Sequence, residues 1–125
     1  MYRLLKGLPI TVYKDYRRVF LFVGDWANTT ANVADTYLTG YDGHYIFNIG
    51  GSEYISVEEL VEKILKVIGG SKSKITVLPK EAFNIQNKKP NIERAIKYLG
   101  HRCPTTLDEG LVLTYDYMRE KYERD

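Results

Sequence analysis

The sequence predicts a small α+β protein of about four helices and four short strands. Three observations carry that expectation. Residues 57–68 place Val57, Leu60, Val61, Ile64, Leu65 and Ile68 at i, i+3, i+4, i+7, i+8 and i+11, one apolar stripe at helical period. Short runs rich in β-branched and aromatic residues, at 10–13, 19–23, 45–48 and 74–78, read as strands. Two more helices show their own start signals, at Asn91 and at Thr106 with Glu109.

Taken in order, residues 1–6 read as the last turn of a helix, stopped by Gly7 and Pro9. So short a helix does not hold alone, because nucleation costs more than a few hydrogen bonds return. The chain therefore reads as a fragment that begins inside an element. Residues 10–13 are a short strand, and 14–18 are polar and basic. Residues 19–23, VFLFV, are apolar on both faces and are expected as a fully buried strand. Asp25 is placed to cap a helix over about 26–38, with Ala27, Ala31, Ala34 and Leu38 on one face. A Gly-rich loop, 39–44, leads to the strand at 45–48, which Gly50 and Gly51 end.

The central helix follows a short polar turn. Ser56 can accept from the Glu59 backbone N–H while the Glu59 carboxylate reaches back to the Ser56 N–H, a capping box. Glu59 with Lys63 and Glu62 with Lys66 sit on the polar side in the favourable i, i+4 orientation. Gly69 and Gly70 supply the stop. A strand at 74–78 is ended by Pro79, and 81–89 lacks period and reads as a loop. Asn91 caps a helix with Ile92, Ala95, Ile96 and Leu99 on one side, and Gly100 stops it. The last helix turns Leu107, Leu111, Tyr115, Met118 and Tyr122 inward.

Composition narrows the function classes. One hundred and twenty-five residues, 44% hydrophobic and 27% charged, suit one soluble domain with a modest core. A net charge of +2 from 18 basic and 16 acidic residues gives no general attraction to nucleic acid or membrane. A lone cysteine, Cys103, allows no internal disulfide and suits a reducing cytoplasm. His44, His101 and Cys103 lack metal-ligand spacing, so no metal is expected. Eleven tyrosines against four phenylalanines fit either a contact surface or a slightly polar core.

Five fragments stand in a telling order: Gly7-Leu8-Pro9-Ile10-Thr11-Val12-Tyr13; Arg18-Val19-Phe20-Leu21-Phe22-Val23-Gly24-Asp25; Tyr45-Ile46-Phe47-Asn48-Ile49-Gly50-Gly51 with Ile55-Ser56-Val57; Lys89-Pro90-Asn91-Ile92; and Leu107-Asp108-Glu109-Gly110-Leu111. In this order and spacing they resemble the C-terminal part of the NAD-dependent epimerase/dehydratase family. These are extended short-chain dehydrogenases acting on nucleotide sugars, such as UDP-glucose 4-epimerases and dTDP-glucose 4,6-dehydratases. The resemblance implies one substrate-binding-type domain over 1–125, with the Rossmann half absent. It implies NAD(P) for a complete enzyme, an isomerase or lyase, but no cofactor held by this chain alone.

The family's catalytic signatures are not in these residues. No G-x-x-G-x-x-G cradle for a dinucleotide follows a strand. Tyr2 and Lys6 mimic the Tyr-x-x-x-Lys pair of acid/base catalysis, without a preceding serine. The expectation is therefore a nucleotide-sugar-binding domain that takes the nucleoside diphosphate and is not catalytic alone. The resemblance puts Arg18 at a diphosphate-binding arginine, whose planar fork suits phosphate; its alternative is an ordinary ion-paired arginine. Lys89 stands at a second such arginine, Asn91 at an acid used towards the ribose, and Tyr13 at an aromatic near the base. Asn91 also has a sufficient role as a helix cap.

Departures from the family pattern cluster near the base pocket. The Y-G-D-G turn reads Tyr13-Lys14-Asp15-Tyr16, the loop to Arg18 is shorter, and Val19 replaces an aspartate. In the family the strand matching 45–48 joins the Rossmann sheet; without it, a bare edge there implies self-association or pairing with a Rossmann domain. The alternative reading is a non-catalytic protein-interaction or oligomerisation module derived from that domain.

Overall fold

The computed structural model describes residues 1–40, 46–79 and 83–122. In chain order the elements are α1 (Tyr2–Leu5), β1 (Ile10–Tyr13), β2 (Arg17–Val19), α2 (Val23–Leu38), β3 (Tyr54–Ser56), α3 (Val57–Ile68), β4 (Ile75–Leu78), β5 (Asn87–Lys88), α4 (Glu93–Leu99) and α5 (Leu107–Tyr122). The α+β class is as expected, with five helices and five strands among the described residues in place of about four of each. The chain divides into two compact units: Met1–Arg18, Ile55–Lys88 and Asp108–Asp125, and Val19–Tyr54 with Lys89–Leu107. No described helix is long and apolar enough to cross a membrane.

The first unit is organised by α3. Both capping-box bonds form, Ser56 N–H to Glu59 Oε2 at 2.6 Å and Glu59 N–H to Ser56 Oγ at 3.0 Å, and Gly69 closes the helix at φ 74°. Ile64 of its apolar stripe is buried, as are Leu4, Val12, Tyr16 and Leu111 of the same unit. β1 and β4 form a parallel pair, Ile10 against Ile75 through Tyr13 against Leu78. A second sheet runs β3-β2-β5, with Arg17 opposite Asn87 and Arg18 opposite Lys88 in parallel. The four-residue α1 is held by tertiary bonds: Ser73 Oγ donates to Arg3 O at 3.2 Å, and the Tyr2 ring meets Tyr122 edge-on at 5.0 Å. On α5, Leu111 is buried and Leu107, Tyr115, Met118 and Tyr122 are half-buried, the face the sequence indicated.

In the second unit, α2 corrects the sequence reading. Its first turn begins at Val23, after Phe22, so Asp25 lies inside the helix rather than at its cap. The Ala27, Ala31, Ala34 and Leu38 face is exposed, Leu38 at 85%. The inward face carries Asp25, Thr29, Asn32 and Thr36 instead. The reason is hydrogen bonding: a helix end leaves orphan carbonyls, and those of α4 recruit polar side chains. Asn32 Nδ2 donates to Leu99 O at 2.9 Å, and the Thr36 hydroxyl, which donates to Asn32 O at 2.8 Å, also lies 3.4 Å from Tyr98 O. Asp25 is buried because its carboxylate accepts both the Thr105 N–H and hydroxyl, at 3.1 and 3.0 Å.

Three strand expectations also shift. Of the run 19–23 only Val19 is in a strand, as the last residue of β2, whose ladder with β5 falls on Arg17 and Arg18; Val23 already begins α2. That ladder also makes 87–88, expected as loop, a short strand. For the expected strand at 45–48, Tyr45 lies outside the described residues, and 46–48 form no strand. Ile46 is 79% exposed, and its carbonyl accepts from Arg94 Nη1 at 3.3 Å in place of a ladder partner. The N-cap of α4 is Ile92 rather than Asn91; Asn91 stands one residue before it and accepts the Glu93 N–H at 2.9 Å in an Asx turn, and Ile96 is left exposed.

Glycine pairs mark two different constraints. Gly69 needs its left-handed φ, whereas Gly51 is required by space, since a Cβ there would overlap the Phe20 carbonyl. Gly51→Ala therefore forces a backbone shift and is expected to cost about 1–3 kcal/mol, the range of overpacking, read by urea denaturation. The Glu59 carboxyl is held below its ordinary range, first by the Ser56 N–H and then by the Ser56 hydroxyl. A depressed carboxyl stabilises above its unfolded pKa and loses that contribution as pH falls through the folded one. The stability gap between wild type and Glu59→Gln should thus hold at neutral pH and close below about pH 4.3, the ordinary glutamate value. A gap that widens on acidification contradicts the capping role.

Candidate functional site

The four residues expected to hold a nucleotide divide between the units: Tyr13 and Arg18 in the first, Lys89 and Asn91 in the second. Tyr13 and Arg18 meet on one side chain that the sequence reading did not single out. Tyr16 is 2% exposed; its ring lies 5.9 Å from that of Tyr13, and Arg18 Cζ stands 5.4 Å over it. The only sequence signal for this hub was Tyr16 standing where the family pattern has glycine.

Arg18 is fixed firmly. Nη1 donates to Arg17 O at 2.8 Å and Gln86 O at 2.6 Å, and Nη2 donates to Ile85 O at 2.9 Å. A guanidinium has five N–H donors, so two remain beyond these three. The segment before it is held by the start of α3. The Val57 N–H donates to Tyr16 O at 2.8 Å, and the Asp15 N–H donates to Glu58 Oε1 at 3.0 Å. Asp15 takes φ 64°, a left-handed conformation that aspartate tolerates better than most residues. Arg17 lies 3.8 Å from the Glu59 carboxylate, an exposed pair of small energetic weight.

In the second unit Lys89 Nζ lies 5.6 Å over the Tyr54 ring, cation–π range for an exposed ammonium. Asn91 is already engaged. Its Oδ1 accepts the Glu93 N–H at the start of α4, and its carbonyl accepts from Asn48 Nδ2 at 3.3 Å. It borders an open polar groove with Ile46, Asn48, Glu93 and Arg94.

His101 lies in the loop after α4, and its ring is 3% exposed. Its Nε2 lies 2.8 Å from Gly50 O and its Nδ1 2.7 Å from Thr29 Oγ1. A carbonyl can only accept, so Nε2 donates to Gly50 O, while the Thr29 hydroxyl that partners Nδ1 also lies 3.0 Å from Asp25 O. Cys103 Sγ lies 3.2 Å from the same carbonyl and 3.3 Å from Nε2. Burial, and secondarily the Asp25 carboxylate, push this thiol above its ordinary range, so the pair is no activated nucleophile. Among the described residues no group of three or more His, Cys, Asp or Glu could hold a metal ion.

No family model matches the chain. It is 27% identical over 121 residues to UDP-glucuronic acid decarboxylase 1 of Danio rerio, across 95% of this chain and 28% of that protein. The same protein from Xenopus tropicalis is also 27% identical, over 95% of this chain and 27% of its own length. The chain thus spans little more than a quarter of these curated relatives. Among solved structures, a UDP-glucose 4-epimerase of Stenotrophomonas maltophila with NAD and formylated UDP-arabinopyranose gives a TM-score of 0.84 at 18% identity, covering 98% of this chain and 39% of that one. A Thermotoga maritima UDP-glucose 4-epimerase with UDP-glucose gives 0.77 at 22%, over 95% and 37%. A Bacillus anthracis dTDP-glucose 4,6-dehydratase with NAD gives 0.74 at 24%, over 98% and 38%. The fold is that of part of these extended short-chain dehydrogenases, and the sequence and structural likenesses together relate the chain to the NAD-dependent epimerase/dehydratase family.

The raised Cys103 pKa has a direct readout. Iodoacetamide should alkylate the folded chain more slowly at pH 7.5 than the urea-unfolded chain, and the folded rate should still climb with pH above the ordinary thiol range of about 8.5. Equal rates in both states contradict the burial account.

Proposed function

We propose that the 125 residues act as one substrate-binding-type domain of the epimerase/dehydratase kind, taking a nucleoside diphosphate sugar and not transferring hydride alone. The observation that carries the reading is the convergence of Tyr13 and Arg18 on the buried Tyr16 ring. Arg18 is immobilised on three carbonyls yet keeps two N–H donors, so a phosphate oxygen can be met without first ordering a long side chain. Tyr13 offers a half-buried face for a base. For Lys89 and Asn91, in the other unit, the roles towards the diphosphate and the ribose rest on the family resemblance alone. UDP is the first nucleotide to test, because the similar proteins are named for, or hold, chiefly UDP sugars. In a complete enzyme NAD would come from other residues, and the chemistry would be that of an isomerase or lyase. The single cysteine suits the cytoplasm.

The non-catalytic interaction module remains the second reading. It is favoured by the apolar side chains left exposed on β4 and on the outer face of α2, among them Val77 and Leu38.

The test is a titration of the folded chain with UDP, dTDP, GDP and CDP followed by amide NMR. Saturable shifts should centre on residues 13–18, strongest with UDP. Arg18→Lys keeps the charge but loses the fork, and should weaken binding by about 10–100-fold, the loss of a charge-assisted bond of roughly 1.5–3 kcal/mol. Lys89→Gln should weaken it less. Flat spectra at millimolar nucleotide with the fold intact refute nucleotide binding and leave the module.

A further inference from the structure

The sheet of β1 and β4 has only two strands among the described residues, and its second strand is bare. All four residues of β4 are exposed, with Ile75 at 37%, Val77 at 55% and Leu78 at 38%. A two-stranded sheet is marginal in water, and an exposed apolar edge is a template for pairing.

The backbone bonds say which groups are open. The Ile10 N–H donates to Lys74 O at 3.0 Å and the Lys14 N–H to Leu78 O at 2.8 Å. Positions 74, 76 and 78 therefore turn their backbone groups towards β1, and strand alternation turns the N–H and C=O of Ile75 and Val77 outward. No described strand takes up that edge. The side chains of Ile75 and Val77 share the face on which Ile10 and buried Val12 lie, by the register of the pair.

We propose that this edge pairs with β4 of a second copy of the chain, antiparallel about a two-fold axis through Thr76. The sequence Lys74-Ile75-Thr76-Val77-Leu78 is self-complementary in that register. Ile75 faces Val77 of the other copy, Val77 faces Ile75, and the two threonines meet on the axis. Four N–H to O=C bonds form from groups now open, and the four branched side chains make one apolar cluster on a single face, the packing that stabilises antiparallel pairs. Lys74 faces Leu78 rather than another lysine. It thereby approaches the end of the sheet where Asp15 lies, after Lys14; neither the Lys74 ammonium nor the Asp15 carboxylate has a partner among the described residues. The result is a four-stranded sheet, β1-β4-β4-β1. So short a strand pair buries less than the roughly 1,200 Å² of a standard stable interface, so the dimer is reversible and follows concentration.

This is independent of nucleotide binding and moves the self-associating edge from 45–48 to β4. The test is sedimentation equilibrium of the 125-residue chain from about 10 µM to 1 mM, a range set by so small an interface. Wild type should pass from monomer towards dimer. Val77→Lys places a charge on an exposed edge position and should raise the dissociation constant at least about tenfold, with circular dichroism unchanged. In a Cys103→Ser background, Thr76→Cys should form a disulfide dimer on mild oxidation. Opposed residues of a non-hydrogen-bonded antiparallel pair sit about 4.5 Å apart, within disulfide reach. Thr11→Cys on β1 should not, since three strand spacings, about 14 Å, separate its copies. A constant monomer mass, a dimer that survives Val77→Lys, or equal crosslinking at 76 and 11 overturns the proposal.

Discussion

The first turn of α3 holds the first unit's candidate binding residues in place through its own unsatisfied N–H groups and acidic side chains. A helix N-terminus presents donors without intrahelical partners and favours carboxylates nearby. Here Ser56 and Glu59 satisfy each other, Val57 donates to the Tyr16 carbonyl, and Glu58 takes the Asp15 N–H. Each bond is worth about 1 kcal/mol net, but two of them act on consecutive residues, Asp15 and Tyr16. The turn that carries Tyr16 is thereby set, and with it the ring that Tyr13 and Arg18 share. A local sequence motif thus controls a contact made forty residues away.

The second unit is held by a different balance. Its buried residues include Asp25, Thr29 and His101 beside Ala95 and Leu99. Burying such groups is costly unless every polar atom is paired. The pairing is done by loop and helix-end backbone: Gly50 O for His101, Leu99 O for Asn32, Thr105 for Asp25. The price of using backbone in this way is close approach, which is why glycine stands at 51 against the Phe20 carbonyl.

Arg18 joins structure and candidate function in one side chain. Two of its three bonds, to Gln86 O and Ile85 O, bridge β2 to the segment before β5, so it helps hold the sheet that presents it. Preorganisation of this kind lowers the ordering cost of binding an anion. It also means that removing the side chain disturbs the sheet, and only a substitution that keeps the charge separates the two roles. β4, by contrast, has backbone groups and apolar side chains left over from folding.

Sequence alone determined the elements whose signals are local. The capping box and stripe of α3, the extent of β1, the Gly100 stop of α4 and the inward face of α5 all depend on residues within a few turns of one another, where period and cap chemistry suffice. The family resemblance was equally legible, because it rests on the order of short motifs. Tertiary structure decided what depends on partners distant in the chain. Of the apolar run 19–23 only Val19 entered a strand, because the ladder with β5 fell on Arg17 and Arg18. Residues 46–48 found no ladder partner among the described residues. The alanine face of α2 lost to Asn32 and Thr36, since an orphan carbonyl on another helix outweighs a methyl group in choosing which face turns inward. The sequence named Tyr13 and Arg18 one by one; that both meet the Tyr16 ring required the fold, because nothing in local spacing records which side chain lies beneath another.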